Sequence, residues 1–400
     1  MSHPGVLSLL LAGLAPEPDD GRPVDRDISH QEPQTASIIC CGVELELPIL
    51  KTDDFKSIDV LKERLLDEFE AHELNVFIAH SHAPWSPVKW AIGADVSIEL
   101  ERGIYGIEIR TCPFIEIPKS EFEKVFNILK NKLPQDVRFF KRCSTQIHFS
   151  IGKPDDEGVV QFPIDVAQRI IFCAIFFEEA IDDLMPAMTH NDDQDRPGGW
   201  KTNEYAKRNL LFNTDAVQVR SLGSIWATIS KTESLEELRR LFINPSGAKG
   251  DKIFEHDKNF KWNVFANGGK TMEFRQPPPS REWKDVIAWV AFTRCFVRRA
   301  KNINPKVLDE ASSGKSTFSE ALGLETVAVQ SNRDLEKEWV VLESELKNEQ
   351  QDPPRVSIKQ LEAFILVGDT ADERPDFEHL KQRRDDMEQR LRKLKSKMIN

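Results

Sequence analysis

No stretch of the 400-residue chain strings together the ~18–20 apolar residues needed to cross a bilayer. The one apolar run near the start, Val6–Ala15 (VLSLLLAGLA), has the length of a signal-peptide core, but no Lys or Arg precedes it. Pro16–Thr35 (PEPDDGRPVDRDISHQEPQT) is almost empty of large apolar groups, so residues 1–36 are expected to form a flexible N-terminal arm. Cysteine is scarce: six residues, at positions 40, 41, 112, 143, 173 and 295, with no C-x-x-C pair. That excludes a disulfide scaffold and a cysteine-built zinc site, and it suits a reducing, cytoplasmic setting. Basic charge is also short, with 54 Lys+Arg against 66 Asp+Glu and a net charge of −12. A dedicated nucleic-acid binder would show the opposite balance, although a local basic pocket for phosphate stays open. What remains is a globular composition, 40% hydrophobic and 30% charged, long enough for one large domain with appendages.

Periodicity divides the chain into strands and helices. Strands are expected at 37–50, 75–80, 89–100, 105–114 and 137–152, and a hairpin over Lys261–Gln276 turning at Asn267-Gly268-Gly269. Apolar residues at helical spacing predict helices over Ile58–His72, Ser120–Lys132, Asp165–Leu184 with Asp165 as N-cap, Ser234–Phe242 and Trp283–Ala300. The polar loop around 190–208 has the length of a lid or binding loop. Beyond residue 305 the chain turns mainly helical, with Leu380, Met387, Leu391, Leu394 and Met398 forming a seam near the C-terminus. Three heptads favour a helix packed on its own domain over a zipper joining two chains, which is the alternative. His80-x-His82 has no third ligand nearby and reads as exposed, and Ser312–Ser316 (SSGKS) lacks the spacing of a phosphate-binding loop.

One pattern stands above this background. Glu44/Glu46, Glu108/Arg110, Gln146/His148 and Glu273/Arg275 each lie two residues apart on an expected strand, and Asp95/Ser97 repeats the spacing. Residues i and i+2 point to the same face of a strand, and the residue between is apolar each time: Leu45, Ile109, Ile147, Phe274 and Val96. For a single strand, a half-exposed antiparallel sheet explains this well enough. Repeated carboxylates do not fit that explanation, because Asp and Glu are poor strand formers and like charges side by side repel. A divalent cation such as magnesium between them removes the repulsion. Arg110 and Arg275 on the same surface would suit phosphates and the charge developed in phosphoryl transfer.

The order of these segments, GVELEL, Trp90 to Ser97, GIEIRTCPF, CSTQIHFSIG and WNVFANGGKTMEFRQ, resembles the amidoligase family of glutamine-synthetase-like carboxylate–amine ligases over roughly residues 38–300. That family's pattern runs G-x-E-x-E, D-x-S, E-x-x-S-P, H-x-H and a late N…E-F-R. The resemblance implies an α+β domain with an antiparallel, cup-shaped sheet and packed helices, using ATP and Mg2+ to form an amide through an acyl phosphate. It implies Glu44, Glu46, Glu108, Glu273 and His148 as metal ligands and Arg275 as the phosphate-contacting group. Asp95 and Gln146 then fall among the nucleotide-binding positions, and Arg275, His148 and Arg110 among the catalytic ones.

Departures from the pattern are informative. Gln146 stands where the first His is usual; it can bind through oxygen but cannot move a proton. Cys112 replaces a Ser, and Arg110 adds a charge at a normally apolar position. The expectation is a ligase region at 37–305, a helical extension at 306–400, and small-molecule acid and amine substrates, with neither nucleic acid nor membrane as partner. A homodimer through the C-terminal helix is the accompanying possibility for assembly. A phosphotransferase on a guanidino or carboxylate acceptor and a degenerate binding module of the same fold are the alternatives.

Overall fold

The computed structural model describes residues 38–79, 86, 88–95, 98, 103–133, 143–152, 162–186, 222–241, 261–322, 356–366 and 374–399. The expected arm, the loop at 190–208, His80, His82, Ser97 and residues 323–355 of the expected helical extension lie outside them. So do the side chains of Leu391, Leu394 and Met398.

Seven strands form one sheet in the order β2-β3-β4-β1-β5-β7-β6. They are β1 (Ile39–Leu50), β2 (Val76–Ile78), β3 (Trp90–Ala94), β4 (Ile104–Arg110), β5 (Thr145–Ile151), β6 (Trp262–Ala266) and β7 (Thr271–Phe274). Five of the six pairings are antiparallel, but β2 runs parallel to β3, so the sheet is mixed rather than antiparallel throughout. Strand periodicity marks β2 and β3 but not their relative direction, because alternation is the same in parallel and antiparallel pairs. At the other edge the hairpin turn needs left-handed backbone, at Asn267 (φ 50), Gly268 (φ 69) and Gly269 (φ 84). Glycine reaches such angles without steric cost.

Alternate residues of the strands bury an apolar face. Val43, Leu45, Ile92, Ile107, Ile109, Ile147 and Phe274 are all 1% exposed or less. Helices α1 (Ile58–Ala71), α2 (Lys119–Lys132), α3 (Ile164–Phe176), α4 (Glu178–Asp182), α5 (Leu222–Ile229), α6 (Leu235–Arg240) and α7 (Trp283–Lys301) follow in the chain. The last is a 19-residue helix that packs on β1 and β5 and also meets α2 and α3. A run of rings knits the sheet to it: Trp262 stacks on Phe274 at 4.4 Å, and Phe274 on Phe292 at 5.9 Å. Fully burying a side chain of this size is worth about 1.5–3 kcal/mol.

Two local expectations are corrected. Asp165 is not the N-cap of α3; Pro163 holds that place without a side-chain cap, and Asp165 sits in the first turn, 3.1 Å from Arg169. An acid there offsets the partial positive charge of the helix start, so its type still fits. The single helix expected over 165–184 also breaks at Phe177, whose non-helical backbone separates α3 from α4.

Residues 35–400 form one compact unit. Past residue 305 come α8 (Pro305–Ser312), the short α9 (Phe318–Ala321), α10 (Ile358–Leu366) and α11 (Phe377–Ile399). Ser312 and Ser313 thus close a helix rather than cradle a phosphate. Phe377, Leu380 and Met387 of α11 are buried within the chain. One turn apart on the same helix, His379 Nε2 and Arg383 Nε meet the two oxygens of Asp285, at 2.9 and 2.8 Å. Asp285 is 1% exposed and also completes the capping box of α7 with Glu282.

Removing one partner from a buried ion pair costs about 3–5 kcal/mol, so Asp285→Asn is expected to lose stability of that order in urea unfolding. Hydrogen bonding to Asp285 lifts the His379 imidazole above its ordinary value of 6.5, burial opposing. A raised folded value stabilises fully below the unfolded one and fades as pH rises through the folded one. The stability gap between wild type and His379→Ala should therefore shrink as pH climbs; a gap that widens would assign the latch to another group.

Candidate active site on the polar face of the sheet

The face opposite the core gathers the described residues that the i, i+2 pattern singles out. Across β1, Glu44 faces Arg110 of β4 on one side and Gln146 of β5 on the other, while Glu46 faces Glu108. His148 of β5 faces Glu273 of β7, which in turn faces Asn263 of β6. Asp95 lies just past the end of β3, where its N–H donates to the Gly106 carbonyl at 2.9 Å. A Cβ on Gly106 would stand 2.1 Å from the Asp95 carbonyl oxygen, so only glycine admits the turn that carries Asp95 there. Glu44, Glu46, Glu108, Arg110, Gln146, His148, Glu273 and Arg275 lie on or directly beside the four neighbouring strands β4, β1, β5 and β7, and Asp95 borders β3.

Three of them converge. Oxygens of Glu44 and Glu273 and a ring nitrogen of His148 lie within 4.8 Å of one another. His148 Nε2 is 3.2 Å from Glu44 Oε1 and 3.5 Å from Glu273 Oε1. Arg275 Nη1 reaches Glu273 Oε1 at 2.6 Å, and Arg110 Nε reaches Glu108 Oε1 at 2.9 Å. Two carboxylates and an imidazole at this separation are a donor set for a divalent cation, with hard oxygens suited to Mg2+ or Mn2+ and a nitrogen that Mn2+ also accepts.

The remaining acids stand apart from this cluster. Glu46 Oε2 accepts from Ser144 N at 2.7 Å and Ser144 Oγ at 2.8 Å, and Glu46 Oε1 accepts from the Gln146 amide. Among the described residues, neither Glu46 nor Glu108 joins a group of three ligand atoms as tight as Glu44, His148 and Glu273. Ser144, which nothing in the strand pattern marked, is thus part of the site because Glu46 takes two bonds from it. Asn263 was likewise without an assigned role, although the late N…E-F-R pattern that its segment resembles places an Asn ahead of Glu273.

Electrostatics separates the acids further. Burial pushes Glu44 up, but His148, Arg275 and Arg110 outweigh it and hold the carboxyl below its ordinary value. Burial and then the neighbouring Asp95 lift Glu46 well above that value. Burial, with Glu44 and Asp95 adding and Arg110 opposing, raises Glu108 to about 8. Burial lowers His148, yet Glu44 and Glu273 leave it raised. Arg275 stays charged despite burial because Glu273, Glu46, Glu44 and Asp95 surround it.

Behind the hairpin a second buried group braces the sheet. Lys261, 1% exposed, is paired with Asp182 and lies 3.4 Å from Glu178, both on α4. Gln276 also donates to Asp182, and the Lys261 carbonyl accepts from Arg275 N at 2.9 Å. The helix ending EEAIDDLMP therefore supports the strand that carries Arg275.

No protein-family model matches the sequence, and no curated protein does. Among solved structures, a bifunctional glutathione synthetase from Pasteurella multocida shows a distant likeness, with a TM-score of 0.32 and 12% identity over 88% of this chain. The ligase PafA, solved with the prokaryotic ubiquitin-like protein Pup, gives 0.30 and 9% over the same share. The chain spans 53% of the first and 65% of the second. Likeness at that level decides neither fold family nor chemistry. Among the described residues, no helix is long and apolar enough to cross a membrane.

Because Glu108 and His148 both have raised folded values, their contributions to stability are full below their unfolded values and fade as pH rises. For Glu108 that window runs from about 4.5 to about 8. The metal-free protein should lose melting temperature across it, and added Mn2+ should stabilise more at pH 8 than at pH 6. Thermal melts at both values check this; equal stabilisation would place the cation away from these groups.

Proposed function

We propose that the chain is an ATP- and divalent-metal-dependent ligase that joins a carboxylate to an amine. In this reading the γ-phosphoryl group passes to the substrate carboxylate, releasing ADP. The amine then displaces phosphate from the acyl phosphate and loses a proton, giving the amide. The observation that carries the reading is the convergence of Glu44, His148 and Glu273 beside the Arg275 guanidinium on one sheet face.

Glu44, His148 and Glu273 would hold a cation, with Glu46 and Glu108 as candidates for a further ligand shell. When bound, Mg2+ or Mn2+ would supply positive charge that neutralises the charge developing during transfer. Arg275 offers a planar fork of donors to phosphate oxygens, with Glu273 keeping it in place. Arg110 stands across the sheet in register with Glu44 and can oppose charge from the other side. Gln146 binds or orients through its amide and transfers no proton. The polar side chains thus divide the labour between cation, phosphate and strand alignment. The ligase region would comprise residues 37–305, with 1–36 as an arm, 306–400 as a helical extension, and a small acid and amine as substrates.

Glu44→Gln removes a ligand charge at the centre of the cluster. It should cut metal-dependent ADP release at least 100-fold while leaving the circular dichroism spectrum unchanged. An Arg275→Lys change keeps the charge but loses the fork, and should cost at least tenfold. ADP and phosphate appearing together with an amide supports the ligase. A stable phosphorylated product would instead assign a phosphotransferase, and no binding of Mg·ATP at millimolar concentration would remove both.

A further inference from the structure

Both ends of the Asn263 amide are committed, and that decides how Glu273 is held. Phe265 N–H donates to Asn263 Oδ1 at 3.1 Å, two residues along the same strand. The contact sits where the β6–β7 ladder slips register between Asn263 and Ala266. A backbone N–H can only donate, so the oxygen end of the amide must face Phe265 and the NH2 end must face β7. There Asn263 Nδ2 donates to Glu273 Oε2 at 3.0 Å. Asn263 and Glu273 are both buried and directly opposed in register. With one oxygen pinned, Glu273 Oε1 is turned toward His148 Nε2 and Arg275 Nη1.

We propose that Asn263 is a positioning residue of the cation site, fixing Glu273 so that Oε1 is presented between His148 and Arg275. The proposal rests on the reading of Glu44, His148 and Glu273 as cation ligands. Other side chains fail for stated reasons. Aspartate would still accept from Phe265 N but could not donate to Glu273, and it would set a second negative charge beside it. Serine is too short to span both contacts. The same hairpin reaches the second ligand: Thr271 Oγ1 lies 3.5 Å from His148 Nδ1 and accepts from Asn267 Nδ2 at 3.1 Å. The edge hairpin therefore aligns two of the three ligands, as partners behind metal ligands commonly do.

The test is Mn2+ binding by titration calorimetry on the full chain without nucleotide, using Asn263→Ala and Asn263→Asp, with metal-free melting temperature as a parallel readout. Loss of an orienting partner typically costs 10–100-fold in metal affinity, and that loss is expected for both variants. Asn263→Asp keeps the acceptor for Phe265 N, so a purely structural role predicts near-normal Mn2+ affinity for it. Mn2+ binding by a folded Asn263→Asp protein within threefold of wild type, or tighter, overturns the proposal. If Asn263→Ala does not fold, Asn263→Asp alone decides. A wild-type chain that binds no Mn2+ at millimolar concentration would instead remove the cation site itself.

Discussion

The register of β1 against its two neighbours is the constraint on which everything else depends. Seven successive residues from Glu44 to Leu50 pair with β4, and seven from Ile39 to Leu45 pair with β5. Side chains alternate with period two, so a slip of one residue would send Glu44 and Glu46 into the core and Val43 and Leu45 into the polar face. The core side resists that slip, since Val43, Leu45, Ile109 and Ile147 are fully buried. Packing of the apolar face thus places the acids of the polar face. The geometry of the candidate site is a by-product of the hydrophobic ladder beneath it.

Such a face is expensive without a counter-charge. Among the described residues, four glutamates and an aspartate crowd this face, with Arg110, Arg275 and His148 as the cationic groups beside them. The protein's own response is uneven. Glu44 keeps its charge because His148 and the two arginines surround it, whereas Glu46 and Glu108 respond by holding protons more tightly. In the proposed reading, a bound cation with nucleotide phosphates would reconcile these groups with a neutral solution. The net charge of −12 is in this view partly a property of the site rather than of solvating surface.

Much of this was legible in sequence. The i, i+2 spacing of Glu44/Glu46, Glu108/Arg110, Gln146/His148 and Glu273/Arg275 announced a shared face, because period two is a local property of strands. The turn at Asn267-Gly268-Gly269 was legible because left-handed backbone selects those residues. Pairing partners were not legible: Ser144 and Gln146 bond Glu46, and Asn263 bonds Glu273, only once register brings strands together from distant sequence. The same holds for His379 and Arg383 on Asp285, nearly a hundred residues apart. The parallel β2–β3 pair and the break at Phe177 were not legible either, because local periodicity carries neither strand direction nor tertiary packing.

The function of this face turns on where a divalent cation sits. Anomalous diffraction from crystals soaked with Mn2+ locates it directly. The account predicts a peak coordinated by Glu44, His148 and Glu273, with Arg275 adjacent and Asn263 still bonded to Glu273. A peak confined elsewhere, or ligands that exclude Glu44 and Glu273, would show that this face of the sheet serves another purpose.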